Sequence, residues 1–179
     1  PGSILLLKSR YLANAAARLR LQDWFQEEGI DRQRLDMRSA TATRQEHFHL
    51  YAVMDLALDP YPYNGTTTTF EALWAGVPVL SLCGDCHRSR VGTSILTHLG
   101  LSDYIAATPD EYIEKAVQIA KAGKSGEALR HSISQSLQQS MTMNKACFAR
   151  QMEEAFQEMW HCSVKTNAVH DQGPERSGP

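Results

Sequence analysis

Short apolar runs, such as residues 4–7 and 77–82, alternate along this chain with longer stretches of helical periodicity. Runs that short cannot be amphipathic helices, and β-branched and leucine-rich segments separated by helices fit βαβ units around a parallel sheet. The expected order is a strand at 4–8, a helix over 11–28 and a short strand at 35–37. A helix over 44–53 and a strand at 56–58 follow, then a helix over 66–75, a strand at 77–82 and a helix over 89–99. Leu12, Ala16, Leu19, Trp24 and Phe25 mark the inner face of the first helix, and Gly29 stands at its C-terminal stop. From Pro109 onward the pattern is helical in three pieces, 109–122, 125–138 and 145–161. Met141, Met143, Phe148, Met152, Phe156 and Trp160 form a stripe there that reads as core. Residues 1–162 are therefore expected to form one Rossmann-like α/β lobe with flanking helices, and residues 163–179 a flexible tail.

Composition removes several functions. Lys plus Arg number 18 against 20 Asp plus Glu, so no broad basic field is available and neither nucleic acid nor a membrane is an expected partner. Four cysteines among 179 residues make no disulfide framework, and no charged-then-apolar leader is present, which points to a reducing, cytoplasmic setting. The chain opens on Pro1 with no initiator Met and enters a strand at once, so it is read as the back half of a larger protein.

The stretch with most chemistry runs from Asp59 to Trp74. Pro60 and Pro62 forbid helix or central strand, making 59–65 a rigid loop at the carboxyl end of a strand, where ligands of open parallel sheets bind. Gly65 permits a tight turn, and Thr66, Thr67, Thr68 and Thr69 then fall on the first turn of a helix. Free N–H groups, the helix dipole and several hydroxyls there make a phosphate cradle. Glu71, about one turn further, could accept from a sugar or ribose hydroxyl. A threonine run can equally serve only to cap a helix. His47, on the expected 44–53 helix, reads from the residues alone more readily as an ordinary surface or core histidine than as a functional one. Arg44, near a helix start, is disfavoured by the dipole unless an anion lies close.

Cys83-Gly84-Asp85-Cys86-His87 has the spacing of a haem-attachment signature. Haem would need an export route, a redox pair should open a helix directly, and zinc would need further ligands at metal spacing. The segment is read as a loop whose cysteine spacing is incidental.

The run from Asn64 to Val79, with Ser89-Arg90-Val91-Gly92 after it, closely resembles the donor-binding half of the protein O-linked N-acetylglucosamine transferases. Bacterial members with tetratricopeptide repeats look closest, and plant SPINDLY-type proteins share the pattern. The similarity extends from about Leu5 to Trp160. It implies the C-terminal lobe of a GT-B glycosyltransferase, holding UDP-N-acetylglucosamine (UDP-GlcNAc) while the sugar passes to Ser or Thr hydroxyls of a protein acceptor. It also implies an N-terminal catalytic lobe and tetratricopeptide repeats elsewhere in the full-length chain. Carried over by position, Ala42, Thr43 and Arg44 match a turn that meets the nucleobase, and His47 a histidine of the same pocket. Thr66, Thr67 and Thr68 match the diphosphate-binding helix start, and Glu71 a ribose-contacting position; Arg90 matches a segment beside the phosphates. Animal members have Arg, His and Asp at the places of Leu50, Thr66 and Glu71. A Lys and a Gln that the family uses lie upstream of residue 4, so no catalytic residue is nominated here and the chain alone is not expected to transfer sugar. No Asp-x-Asp pair is present to hold a metal, and no cofactor beyond the nucleotide-sugar is implied. The alternatives are a SPINDLY-like O-fucosyltransferase using GDP-fucose, or a non-catalytic nucleotide-binding module.

Overall fold

Every strand pairing is parallel, as the alternation of short apolar runs and helices requires. The computed structural model describes residues 2–123 and 126–170, with side chains as far as residue 164. β1 (Leu5–Lys8) pairs with β2 (Leu35–Arg38), setting Leu5 opposite Leu35 and Leu7 opposite Met37. A second sheet has the order β3 (Ala57–Leu58), β4 (Val79–Leu82), β5 (Ile105–Ala106). β4 is its central strand and is buried at all four positions, which explains a continuous apolar run rather than alternation. No described helix is long and apolar enough to cross a membrane.

The first helix differs from its expected span. A 3-10 turn covers Arg10–Ala13, and the Asn14 side chain then accepts from the amides of Ala16 and Ala17, starting α1 (Ala15–Glu27) afresh. That restart shifts the inner face. Leu21 and Phe25 pack on the buried cluster of Leu12, Leu35 and Met37, while Leu19 and Trp24 are more than half exposed. Gly29 does adopt a positive φ at the helix stop. The helix expected over 44–53 is also two pieces, α2 (Arg44–His49) and a 3-10 turn Leu50–Val53 that buries Leu50 and Tyr51. β5 has no signature in the sequence because two residues after a 3-10 turn carry no periodicity; its Ala106 carbonyl accepts from Cys83 N at 2.8 Å.

The remaining helices are α3 (Thr67–Trp74), α4 (Val91–His98), α5 (Pro109–Ala122), α6 (Glu127–Gln138) and α7 (Lys145–His170). Gly76 closes α3 with φ 75°, and a Cβ there would meet the Arg130 carbonyl oxygen at 2.4 Å. Only glycine lets α6 approach so closely. Arg130 in turn donates to the carbonyls of Tyr51 and Met54, behind the 3-10 turn of 50–53.

The chain divides into two compact units at the boundary between Ser134 and Gln135. In the second unit, α7 runs past the expected limit of 161, and residues 171–179 of the expected tail lie outside the described residues. The Met and aromatic stripe is not buried by the described residues. Met141, Met143, Phe148, Met152, Phe156 and Trp160 are all exposed, Trp160 at 69%. Helical spacing places apolar side chains on one face but does not specify what covers that face.

Candidate functional site

Beyond β3 the chain enters a loop held by a buried carboxylate. Asp59 Oδ1 accepts from Gly65 N at 2.7 Å, and Oδ2 accepts from Ser81 Oγ at 2.6 Å. Asn64, also buried, donates from Nδ2 to the Pro60 carbonyl at 3.0 Å and accepts at Oδ1 from Gly92 N at 3.3 Å. Together these bonds tie the loop to β4 and to the first turn of α4. Burial raises the Asp59 carboxyl above its ordinary range, opposed by the bonds from Ser81 and Gly65. Tyr112 donates to the Asp59 carbonyl at 3.2 Å, and burial, with the Asp59 charge, pushes its phenol up to about 12. A Cβ on Gly65 would sit 2.4 Å from Thr68 Oγ1, so this turn accepts no side chain in its present form.

The threonines that follow divide into two kinds. Thr69 is buried and its hydroxyl donates to the Gly65 carbonyl at 2.9 Å, so its hydroxyl proton is spent within the chain. Thr66, Thr67 and Thr68 are exposed, and the Thr66 side chain makes no capping bond. The amides of Thr67, Thr68 and Thr69 have no acceptor among the described residues. An open helix start with three solvent-facing hydroxyls suits an anion.

A cavity of about 440 Å³ adjoins this start, with Lys8, Thr41, His47, Leu50, Tyr51 and Thr68 in its lining. His47 Nε2 lies 2.9 Å from Glu71 Oε2, and the Tyr51 hydroxyl donates to the same oxygen at 3.3 Å. Burial and the Glu71 charge hold the Tyr51 phenol firmly protonated. Lys8 Nζ bonds to His47 Nδ1 and donates to Thr41 Oγ1 at 3.2 Å. The fold thus gathers His47, Thr68 and Glu71 from the sequence-derived set. Lys8, Thr41 and Tyr51 escaped the sequence reading. Lys8 carried one usable signal, a cation at the carboxyl end of a strand in a parallel sheet.

Ala42, Thr43 and Arg44 stand outside this lining. Thr43 Oγ1 accepts from Glu46 N at 3.1 Å, and Glu46 Oε2 accepts from Ala42 N at 3.0 Å, a reciprocal cap on α2. The Arg44 guanidinium lies 5.6 Å from the Phe48 ring centroid.

Cys83 to His87 leads from β4 into a 3-10 turn, His87–Ser89. Cys86 Sγ is 3.2 Å from the buried Ser89 Oγ, and both cysteines are free thiols. Among the described residues no group of three or more His, Cys, Asp or Glu could hold a metal ion. Arg90 is exposed at the start of α4.

Comparison with known proteins agrees with this architecture. Over 161 residues the chain is 34% identical to a Hordeum vulgare protein named probable UDP-N-acetylglucosamine--peptide N-acetylglucosaminyltransferase SPINDLY, covering 90% of this chain and 17% of that one. A Caenorhabditis elegans UDP-N-acetylglucosamine--peptide N-acetylglucosaminyltransferase is 29% identical, covering 75% of this chain and 12% of that one. The solved structure of a mutant Thermobaculum terrenum O-GlcNAc transferase superposes with a TM-score of 0.82 at 29% identity, over 92% of this chain and 31% of that one. The expected Rossmann-like α/β architecture, parallel sheets with flanking helices as in a GT-B lobe, therefore holds. This chain spans 17% of the length of the barley relative. The model of glycosyl transferase family 41 matches residues 1–152, and the chain belongs to that family.

Proposed function

We propose that this chain binds the nucleotide-sugar donor of a protein O-GlcNAc transferase, and that the complete natural chain transfers N-acetylglucosamine from UDP-GlcNAc to Ser or Thr hydroxyls. The observation that carries the reading is the open start of α3, with unclaimed amides at Thr67 to Thr69 and exposed hydroxyls at Thr66, Thr67 and Thr68. Family membership and the names of the relatives support the donor and acceptor classes. In such a transfer the acceptor oxygen bonds to the anomeric carbon and loses its proton, while the nucleoside diphosphate leaves with the electron pair. The chemistry is mostly positioning and stabilisation of the departing charge. Amides and hydroxyls of α3 meet the diphosphate, and Glu71 accepts from the ribose hydroxyls. The helix start neutralises the leaving group without a metal ion, so chelation by EDTA is expected to leave donor affinity unchanged.

Calorimetric titration of uridine and guanosine diphosphates into the complete natural chain tests the reading. Each hydrogen bond to a charged phosphate oxygen contributes about 1.5–3 kcal/mol, so Thr67→Ala or Thr68→Ala should weaken binding about tenfold or more. Affinity that survives both substitutions refutes the phosphate site. Tighter binding of guanosine diphosphate would replace UDP-GlcNAc by a guanosine donor such as GDP-fucose. The 179-residue chain alone is expected to show no transfer to peptides, and measurable transfer would overturn that.

A further inference from the structure

The cavity beside the α3 start holds a cation as well as the His47–Glu71 pair. Lys8 ends β1 with its ammonium against the side chains of His47 and Thr41. We infer that Lys8 is a positioning residue: through His47 it fixes the proton arrangement of the His47–Glu71 pair, and so the form in which the cavity meets a nucleotide.

The argument is one of donors and acceptors. An ammonium has three donors and no acceptor, and an ionised carboxylate only accepts. Lys8 Nζ stands against Nδ1 of His47, so Nδ1 must be the bare, accepting nitrogen. Glu71 Oε2 stands 2.9 Å from Nε2, so Nε2 must carry the proton and donate. Both neighbours therefore demand the same neutral tautomer. A proton on Nδ1 would face the ammonium donor to donor, and a bare Nε2 would face the carboxylate lone pair to lone pair. Tyr51, from the 3-10 turn behind α2, donates to the same Glu71 oxygen at 3.3 Å. Oε2 is thus committed to protein donors, while Oε1 makes no protein hydrogen bond among the described residues and remains an acceptor. The His47 and Glu71 side chains are only about a quarter exposed, 25% and 23%, so water competes weakly for these bonds.

Resting on the donor-site reading, the consequence is a neutral imidazole and an anionic acceptor presented together to the nucleoside part of the ligand. Thr41 takes a second Lys8 donor at 3.2 Å, so the cation itself is held in place rather than swinging through the cavity. Without Lys8, Nδ1 has no donor opposite it and the ring is free to take a second proton beside Glu71.

The test has two arms. In the first, nitrogen-15 NMR of the histidine-labelled 179-residue chain, without nucleotide and at neutral pH, reads the His47 ring, assigned through His47→Gln. The Nε2–H tautomer is expected in the unmodified chain. Lys8→Met should convert it to a mixture with the doubly protonated ring, and Lys8→Arg, which keeps a cationic donor, should retain most of the Nε2–H signal. In the second arm, uridine and guanosine diphosphates are titrated into the complete natural chain. Lys8→Met should weaken the preferred diphosphate about tenfold, and Lys8→Arg should recover most of that loss. A His47 signal identical in the unmodified chain and Lys8→Met overturns the inference whatever the nucleotide does. So does a changed signal with unchanged affinity where Thr67→Ala still weakens binding. Because the first arm contains no nucleotide, failure of the relay is distinguishable from failure of the phosphate site, which shows as titrations insensitive to Thr67→Ala.

Discussion

At the start of α5, Thr108 Oγ1 accepts from Glu111 N at 3.2 Å while Glu111 Oε2 accepts from Ala107 N at 2.7 Å. Pro109, Asp110 and Glu111 fill its first turn, so the missing donor, the reciprocal cap and two carboxylates satisfy that end from within the chain. These bonds, the Ala107 amide first, hold the Glu111 carboxyl below its usual range. At the start of α3, Thr66 makes no capping bond and the first turn has no acidic residue. Its geometry comes instead from the preceding loop, where Asp59 grips the Gly65 amide and Ser81. Both helices begin on threonine, yet one start is closed by its own side chains and the other is held from below and left open above. A cap contributes about 1 kcal/mol, so the open start forgoes a modest stabilisation. Charged hydrogen bonds to a phosphate more than offset that when a donor binds.

The contrast can be broken at Asp59, where the largest effect is expected. Asp59→Ala removes the acceptor of two buried donors and should lower stability by about 2–3 kcal/mol in denaturant unfolding. An unchanged midpoint would mean that something else supports the α3 start. The same residue gives a pH test. Its folded-state pKa is raised, so its stabilising contribution is complete below the ordinary value of 3.8 and is lost as pH rises through the raised value. Asp59→Asn cannot ionise and should flatten the fall in stability as pH rises above 3.8.

Next in size, Thr66→Asp would close the open start artificially. A carboxylate at the cap position should raise stability by up to about 1 kcal/mol and repel the diphosphate, weakening nucleotide binding at least about tenfold. Binding unaffected by this substitution would place the diphosphate away from α3. Thr108→Ala, at the closed start, should show the opposite pattern. Thermal or denaturant unfolding should lose about 1 kcal/mol while nucleotide affinity stays the same. The smallest effect belongs to a third start, the 3-10 turn after Cys86. Cys83→Ser combined with Cys86→Ser should leave nucleotide affinity within about threefold, less than ~0.7 kcal/mol. Stoichiometric zinc or covalent haem in the purified protein would contradict that expectation.

The amino-acid sequence alone determined the parallel α/β class, because short apolar runs between helical stretches permit little else, and the 59–65 loop, because two prolines exclude regular structure there. It also marked the threonine run and Glu71 and, through family resemblance, His47. Phase and burial were decided by tertiary structure. Asn14 restarts the first helix and turns Leu19 and Trp24 outward, a local capping event that periodicity averages over. β5 is too short to carry a pattern and exists only because β4 offers it an edge. The Thr43 hydroxyl accepts from Glu46 N and the Thr69 hydroxyl donates to the Gly65 carbonyl, partners that the threonine spacing does not reveal. Lys8 meets His47 across 39 positions of sequence, and Glu71 meets His47 across 24. Local sequence encodes which groups are available to a site. Which of them remain unspent is set by hydrogen bonds between distant segments, and those exist only once the chain has folded.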